Sequence, residues 1–138
     1  MKLNEISSVL YLFGNDLRML HLNCVGKEFL YIHKELNDFY DEVFEFYDTV
    51  AESAIVQGET IGNPSDLILD TVGWESIQGS NFTIDDVLDN VITMGNVVLN
   101  DIANVDKEVY PSHIYSMLDS ISEALDKEIN YKFGRSAK

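Results

Sequence analysis

Basic residues are scarce in this chain. Nine lysines and arginines stand against 24 aspartates and glutamates in 138 residues, a formal net charge of −15. That balance repels a phosphate backbone, disfavours direct DNA binding, and favours cations or a basic protein partner. Cysteine occurs once, as Cys24, which excludes an internal disulfide and fits a reducing cytosol. The N-terminus lacks a basic stretch followed by a long apolar run, so no signal peptide is expected and a cytoplasmic location is. The Asn81-Phe82-Thr83 sequon is then without meaning. No apolar run approaches membrane-spanning length. Internal repeats, low-complexity tracts and useful strand-like alternation are also missing.

What is present is helical periodicity. Apolar residues make up 46% of the chain, enough for one globular domain over 1–138. Leu3, Ile6, Val9, Leu10, Phe13, Leu17, Leu20 and Cys24 recur at three- and four-residue steps and predict a first helix from 3 to about 25, with Asn4 as cap and Gly26 as terminator. Gly14 interrupts that stripe at a cost of about 1 kcal/mol against alanine. Phe29, Ile32, Leu36, Phe39, Tyr40, Val43, Tyr47, Val50 and Ala54 predict a second helix from about Lys27 to Gln57, stopped by Gly58.

Residues 58–82 read as a long crossover, punctuated by glycines and Asn63-Pro64. A short helix is expected over 65–72, capped by Ser65, and Trp74 is expected to anchor the loop. Thr83-Ile84-Asp85-Asp86 has the form of a capping box opening a third helix. Pro111 suits the first turn of a fourth, which is expected to fray near Gly134. The expected fold class is all-α: a four-helix bundle with a long crossover carrying a short helix between helices 2 and 3, a connection that permits ferritin-like rather than simple up-down connectivity.

Two histidines and two carboxylates carry the functional signal. His33 and Asp48 lie about 22 Å apart along one helix, and His33 and Glu52 about 28 Å. Metal–ligand bonds are about 2.0–2.2 Å, so these groups cannot share an ion within one straight helix. Two copies of the helix, antiparallel across a two-fold axis near Tyr40 and Asp41, remove the difficulty: each His33 then faces the partner's Asp48/Glu52 pair. Asp48 and Glu52, at i and i+4, share a face. His21 precedes Gly26 by five residues and His33 follows it by seven, so a hairpin there sets both imidazoles at similar height. The ligand set becomes His21 and His33 from one chain with Asp48 and Glu52 from the other, in an isologous dimer. Mixed imidazole and carboxylate ligation suits ferrous iron, and also zinc, manganese or cobalt.

The stretch His21-Leu22-Asn23-Cys24-Val25-Gly26, with His33, Asp48, Ala51 and Glu52, resembles the Dps family of mini-ferritins. Its pattern is His-Trp-Asn-Val-x-Gly, a second His twelve residues on, then Asp and Glu fifteen and nineteen residues beyond that. The resemblance runs from about Leu10 to Gly58 in motif, and further in helix pattern and length. It implies a hollow dodecamer that oxidises Fe(II) with hydrogen peroxide or dioxygen at a di-iron site between subunits and stores Fe(III). The Glu-x-x-His motif of ordinary ferritins is missing here, in keeping with a mini-ferritin.

Several positions depart from the family. Leu22 and Asn130 stand where it carries tryptophan, Asn37 where many members have Asp as a further metal ligand, and the lysine-rich tail some members use on DNA is missing. The acids of the family's iron-entry pore have no clear match around Pro111-Ser112-His113. The acidic run Asp38, Asp41, Glu42 and Glu45 reads as a solvated face; Asp41, Glu42 and Glu45 are candidates for mineral nucleation inside a shell. The rival reading is a degenerate relative acting as an acidic interaction protein, such as a DNA mimic or an inhibitor of a basic partner, without ferroxidase activity.

Overall fold

A computed structural model describes residues 1–63, 66 and 74–138; the crossover helix expected over 65–72 falls, but for Asp66, outside them. The elements are α1 (Leu3–Asn23), α2 (Phe29–Val56), α3 (Ile84–Ala103) and α4 (Ser112–Asp126). The last continues unbroken through a π-helical stretch, Lys127–Phe133, into Gly134–Ser136. The architecture is the expected all-α four-helix bundle. The one strand-like pairing among the described residues is an isolated bridge between Cys24 and Phe82. No described helix is long and apolar enough to cross a membrane.

The apolar stripes read from the sequence are the core. Leu3, Ile6, Leu10, Phe13, Leu17 and Leu20 of α1 are fully buried, and so are Leu36, Val43, Val50 and Ala54 of α2. Gly14 has a packing reason: a Cβ there would lie 2.8 Å from the Phe44 ring, so α2 approaches α1 because that methyl is missing.

Helix ends differ from expectation in four places. Asn4 is no cap. It sits inside the first turn of α1, donating its backbone N–H to Glu59 (2.9 Å) and its side-chain amide to the Thr60 carbonyl (3.3 Å). The α1 C-terminus falls at Asn23 because Val25 N–H leaves the helix ladder for the Phe82 carbonyl (2.9 Å). The α2 helix starts at Phe29 rather than Lys27. Its end is as expected: Gly58 takes φ +87, which an L side chain would resist. Thr83 caps α3 by accepting from Asp86 N–H (3.1 Å).

The fourth difference is the end of α4, which does not fray at Gly134. Leu125, Ile129 and Phe133 are all buried at successive four-residue steps. Four residues of ordinary helix overshoot a full turn by about 40°. The wider π turn, with i→i+5 bonds, absorbs the excess and keeps all three on one face. Ile129 there packs against Gly95 of α3, and Phe133 stacks on Phe39 at 5.7 Å.

The crossover is fastened along α1. At one end Glu59 binds Asn4 and accepts from the Tyr110 hydroxyl (2.6 Å). At the other, Phe82 N–H donates to the Asn23 carbonyl (3.0 Å). Between them the Trp74 indole N–H donates to Asp16 (3.1 Å), with the ring edge-on to Phe13. The connection thus traverses the length of α1, as ferritin-like connectivity requires. Asp16 is 2% exposed. Burial pushes its carboxyl above its ordinary value, and hydrogen bonds from Trp74, Ile77 and Ser76 only partly offset this.

Two tests follow from this packing. A Cβ at Gly95 would lie 2.5 Å from Ile129 carbons, held in the π segment. Gly95→Ala should therefore lose about 1–3 kcal/mol in urea unfolding, while Gly79→Ala, whose Cβ would meet only Met19 sulfur at 3.8 Å, should lose little. Equal losses would refute the close approach. For Asp16 the folded state holds the proton more tightly than the unfolded chain, so stability falls as pH rises from 3.8 through the raised value. Asp16→Asn removes that slope. Its stability relative to the natural protein should grow from acid to neutral pH, and parallel curves would contradict the assignment.

Candidate metal centre

The α1–α2 hairpin brings His21 and His33 into contact. Their rings stack at 3.7 Å between centroids, 20° from parallel. Each Nδ1 bonds the other residue's backbone carbonyl: His21 Nδ1 to His33 O at 2.7 Å, and His33 Nδ1 to His21 O at 2.9 Å. A carbonyl can only accept, so both Nδ1 atoms carry hydrogen. In each neutral ring the lone pair then sits on Nε2, which no hydrogen bond engages among the described residues. A metal-binding histidine is ordinarily fixed in this way, by a hydrogen bond at its other nitrogen.

The backbone explains why the crossing is possible. In an uninterrupted helix the His21 carbonyl would accept from Val25 N–H. That N–H is drawn off to Phe82 instead, which leaves the carbonyl for the His33 ring. The crossover segment at Phe82 is thereby a support of the imidazole pair. Phe29 lies against the outer face of His33 at 4.9 Å, and Tyr40 stands edge-on to His21 at 5.3 Å. His21 is 8% exposed and His33 partly exposed, so the pair is held firmly at the margin of the hairpin.

Asp48 and Glu52 lie in the second half of α2, exposed and one turn apart. Among the described residues no three histidines, cysteines or carboxylates converge on one point within the chain. The chain thus assembles the two imidazoles and leaves the two carboxylates apart, as the helix-length arithmetic requires of a single copy. Tyr47, immediately before Asp48, has its hydroxyl pushed up by burial and then by the Asp48 charge.

The remaining candidates fall into two groups. Asn37 is committed within the chain: its carbonyl accepts from Tyr40 OH (2.7 Å) and its NH₂ donates to Asp41 (3.3 Å). As a ligand it would have to surrender the Tyr40 bond. Asp41 and Glu45 are exposed on one face. Glu42 departs from the expected solvated face: it is half-buried, with Oε1 buried and unpartnered, and burial followed by the Glu128 charge raises its pKa. Leu22, next to His21, is 65% exposed. Asn130 is held by a reciprocal amide pair with Asn96 (3.0 and 3.2 Å) and by Asp126 (2.7 Å). Arg18 was not legible as part of the site, yet its guanidinium lies over Tyr40 at 4.9 Å and Phe44 at 5.4 Å. Its only signal was position, one turn after Gly14 on the α2-facing side.

No family model and no curated protein matches the sequence. Solved structures match the fold closely. Antigen TpF1 from Treponema pallidum is 21% identical, with 99% of this chain and 88% of that chain covered and a TM-score of 0.90. Dps from Vibrio cholerae O1, described as a member of a broad superfamily of ferritin-like diiron-carboxylate proteins, is 15% identical over 99% and 86%, TM-score 0.89. Dps from Listeria innocua, soaked with cobalt, is 16% identical over 97% and 93%, TM-score 0.82. The chain has the Dps fold, a ferritin-like bundle.

The crossed hydrogen bonds make a spectroscopic prediction. Nitrogen-15 correlation spectra of the metal-free protein should show the neutral form of His21 and of His33 as the Nδ1–H tautomer. An Nε2–H tautomer of either neutral ring would contradict the arrangement.

Proposed function

We propose that this protein is an iron-storing mini-ferritin whose ferroxidase sites are completed between subunits. The observation that carries the reading is the crossed His21–His33 pair, with both Nε2 lone pairs unclaimed, at one end of a helix whose other half presents Asp48 and Glu52. In an antiparallel dimer the imidazoles of one copy meet the carboxylates of the other.

Fe(II) is the substrate. The imidazoles set its position, fixed by their backbone bonds before it arrives, so little reorganisation opposes binding. The carboxylates add negative charge and hold the more highly charged Fe(III) more strongly than Fe(II), which favours the oxidised product. Two Fe(II) give two electrons to hydrogen peroxide, which takes two protons and leaves as two waters; dioxygen is the alternative oxidant. Fe(III) then passes to an interior where Asp41 and Glu45 present carboxylates for mineral growth, with Glu42 turned toward α4. Zinc, manganese or cobalt would occupy the same ligands without being stored.

Assembly into a dodecamer is part of the reading. Exposed apolar side chains support it, among them Leu30 (81% exposed), Val56 (78%), Tyr31, Val109 and Tyr131, since apolar surface of this kind marks subunit contacts. Protection from oxidative damage would be chemical, by removal of iron and peroxide, in a cytoplasmic protein that does not grip DNA.

After aerobic or peroxide-driven Fe(II) addition, the natural protein should retain many irons per subunit. His33→Ala and Asp48→Ala should fall to background while circular dichroism shows the helices intact. Retention unchanged in both variants would defeat the site assignment. No retention in any of the three, with a monomer in solution, would favour an acidic partner-binding protein.

A further inference from the structure

Charge is unevenly distributed along this chain. Residues 1–126 hold five basic side chains and 23 acidic ones, a formal −18, whereas residues 127–138 hold four basic and one acidic, +3. The four cations Lys127, Lys132, Arg135 and Lys138 are all exposed. Lys127 pairs with Glu123 and Lys132 with Glu128. Among the described residues Arg135 and Lys138 have no ion pair.

A groove of about 470 Å³ runs beside them, between α2, the start of α3 and the end of α4. Its floor of Ile32, Leu88 and Phe133 is apolar and buried. Tyr31 and Tyr131 flank it, 62% and 64% exposed, and the Arg135 guanidinium lies over the Tyr131 ring at 5.7 Å. Lys132 and Glu35 also line it, so with Arg135 the groove is net positive. Tyr31 and Glu35 each stand two residues from His33, about 200° around the helix. The groove therefore opens on the far side of α2 from that imidazole. A copy joined to its partner through the His33 face leaves it open.

We infer that this groove is a heterologous contact that takes the acidic surface of a second copy, and that salt opens it. The inference deepens the assembly proposed above and rests on it. A two-fold contact sets a patch against itself. The exposed Asp41, Asp48 and Glu52 of α2 thus bring negative charge to the proposed dimer from both copies. The groove differs, because its positive charge finds no match in itself and the −18 body of another copy supplies one. Contacts between unlike patches join head to tail, and they close into a ring or shell where the rotation allows. Two exposed tyrosines and an arginine around an apolar floor are also the side chains that dominate interface energetics.

Binding and storage then separate. The proposed metal site is complete within a dimer, whereas an enclosed interior needs the groove contact as well. Ionic strength controls how much of the protein can store iron without touching the metal ligands.

Metal-free protein is followed by sedimentation velocity at about 0.02 M and about 0.5 M sodium chloride, between which the screening length falls from roughly 20 Å to roughly 4 Å. The natural protein should form a large assembly at low salt and shift to dimers at high salt, its groove contact weakened about tenfold or more. Lys132→Glu/Arg135→Glu should stay dimeric at both. Lys2→Glu/Lys27→Glu makes the same change in net charge at exposed positions outside the groove, and should assemble as the natural protein does. A large assembly indifferent to salt would overturn the inference, as would equal assembly of the two double variants. So would a natural protein never larger than a dimer, whose groove would then belong to a different acidic partner. Cobalt(II) absorption, compared with His33→Ala, reads the inter-subunit site separately. A dimeric groove variant that binds cobalt normally is folded and paired, with the groove contact alone lost. Absence of His33-dependent cobalt binding at both salts removes the metal site, whatever the mass.

Discussion

The reciprocal bonds between His21 and His33 are the constraint on which the candidate site depends. Each ring is fixed by a backbone atom of the other residue, so neither can be oriented alone. The arrangement needs three things at once: a helix that stops at Asn23, a hairpin that returns at Phe29, and a crossover that takes Val25 N–H away from the His21 carbonyl. The last of these comes from a segment about sixty residues further on. A tautomer in the hairpin is thereby tied to the topology of the whole chain.

Much of this was legible in the sequence. The amphipathic stripes of the first two helices supply the observed core because burial in a bundle follows the helical period; Leu17, Leu20, Leu36 and Val43 are fully buried, and Phe29 and Tyr47 half-buried at its edge. The His21/His33 pairing was legible from spacing about Gly26. The crossed hydrogen bonds were not, because they depend on the Phe82 bridge, and no local pattern announces a single pair of backbone bonds. Asn4 was misread as a cap because its side chain is of the capping type; tertiary contacts with Glu59 and Thr60 claim it instead. Arg18 was illegible because an arginine on a helix surface ordinarily points to water.

Charge and packing divide the molecule's work. With a net charge of −15, the exposed surface repels its own copies, so close association of subunits requires compensating apolar contact. Leu30, Tyr31, Val56 and Tyr131 provide apolar surface suited to that contact. The same charge raises the local concentration of cations around the protein, so one property makes self-association harder and cation capture easier.

The π-helical stretch at Lys127–Phe133 gives the end of α4 a tolerance for changes in length. Such a stretch is what a helix shows when it holds one residue more than its face requires. Residues on its N-terminal side keep their register against α3, and those beyond it are rotated back onto the core. The end of α4 can therefore accept or lose a single residue by forming or dissolving the wide turn, without moving Leu125 or the rest of the bundle. A change of one residue in length would be absorbed here by geometry, remote in sequence from the imidazole pair.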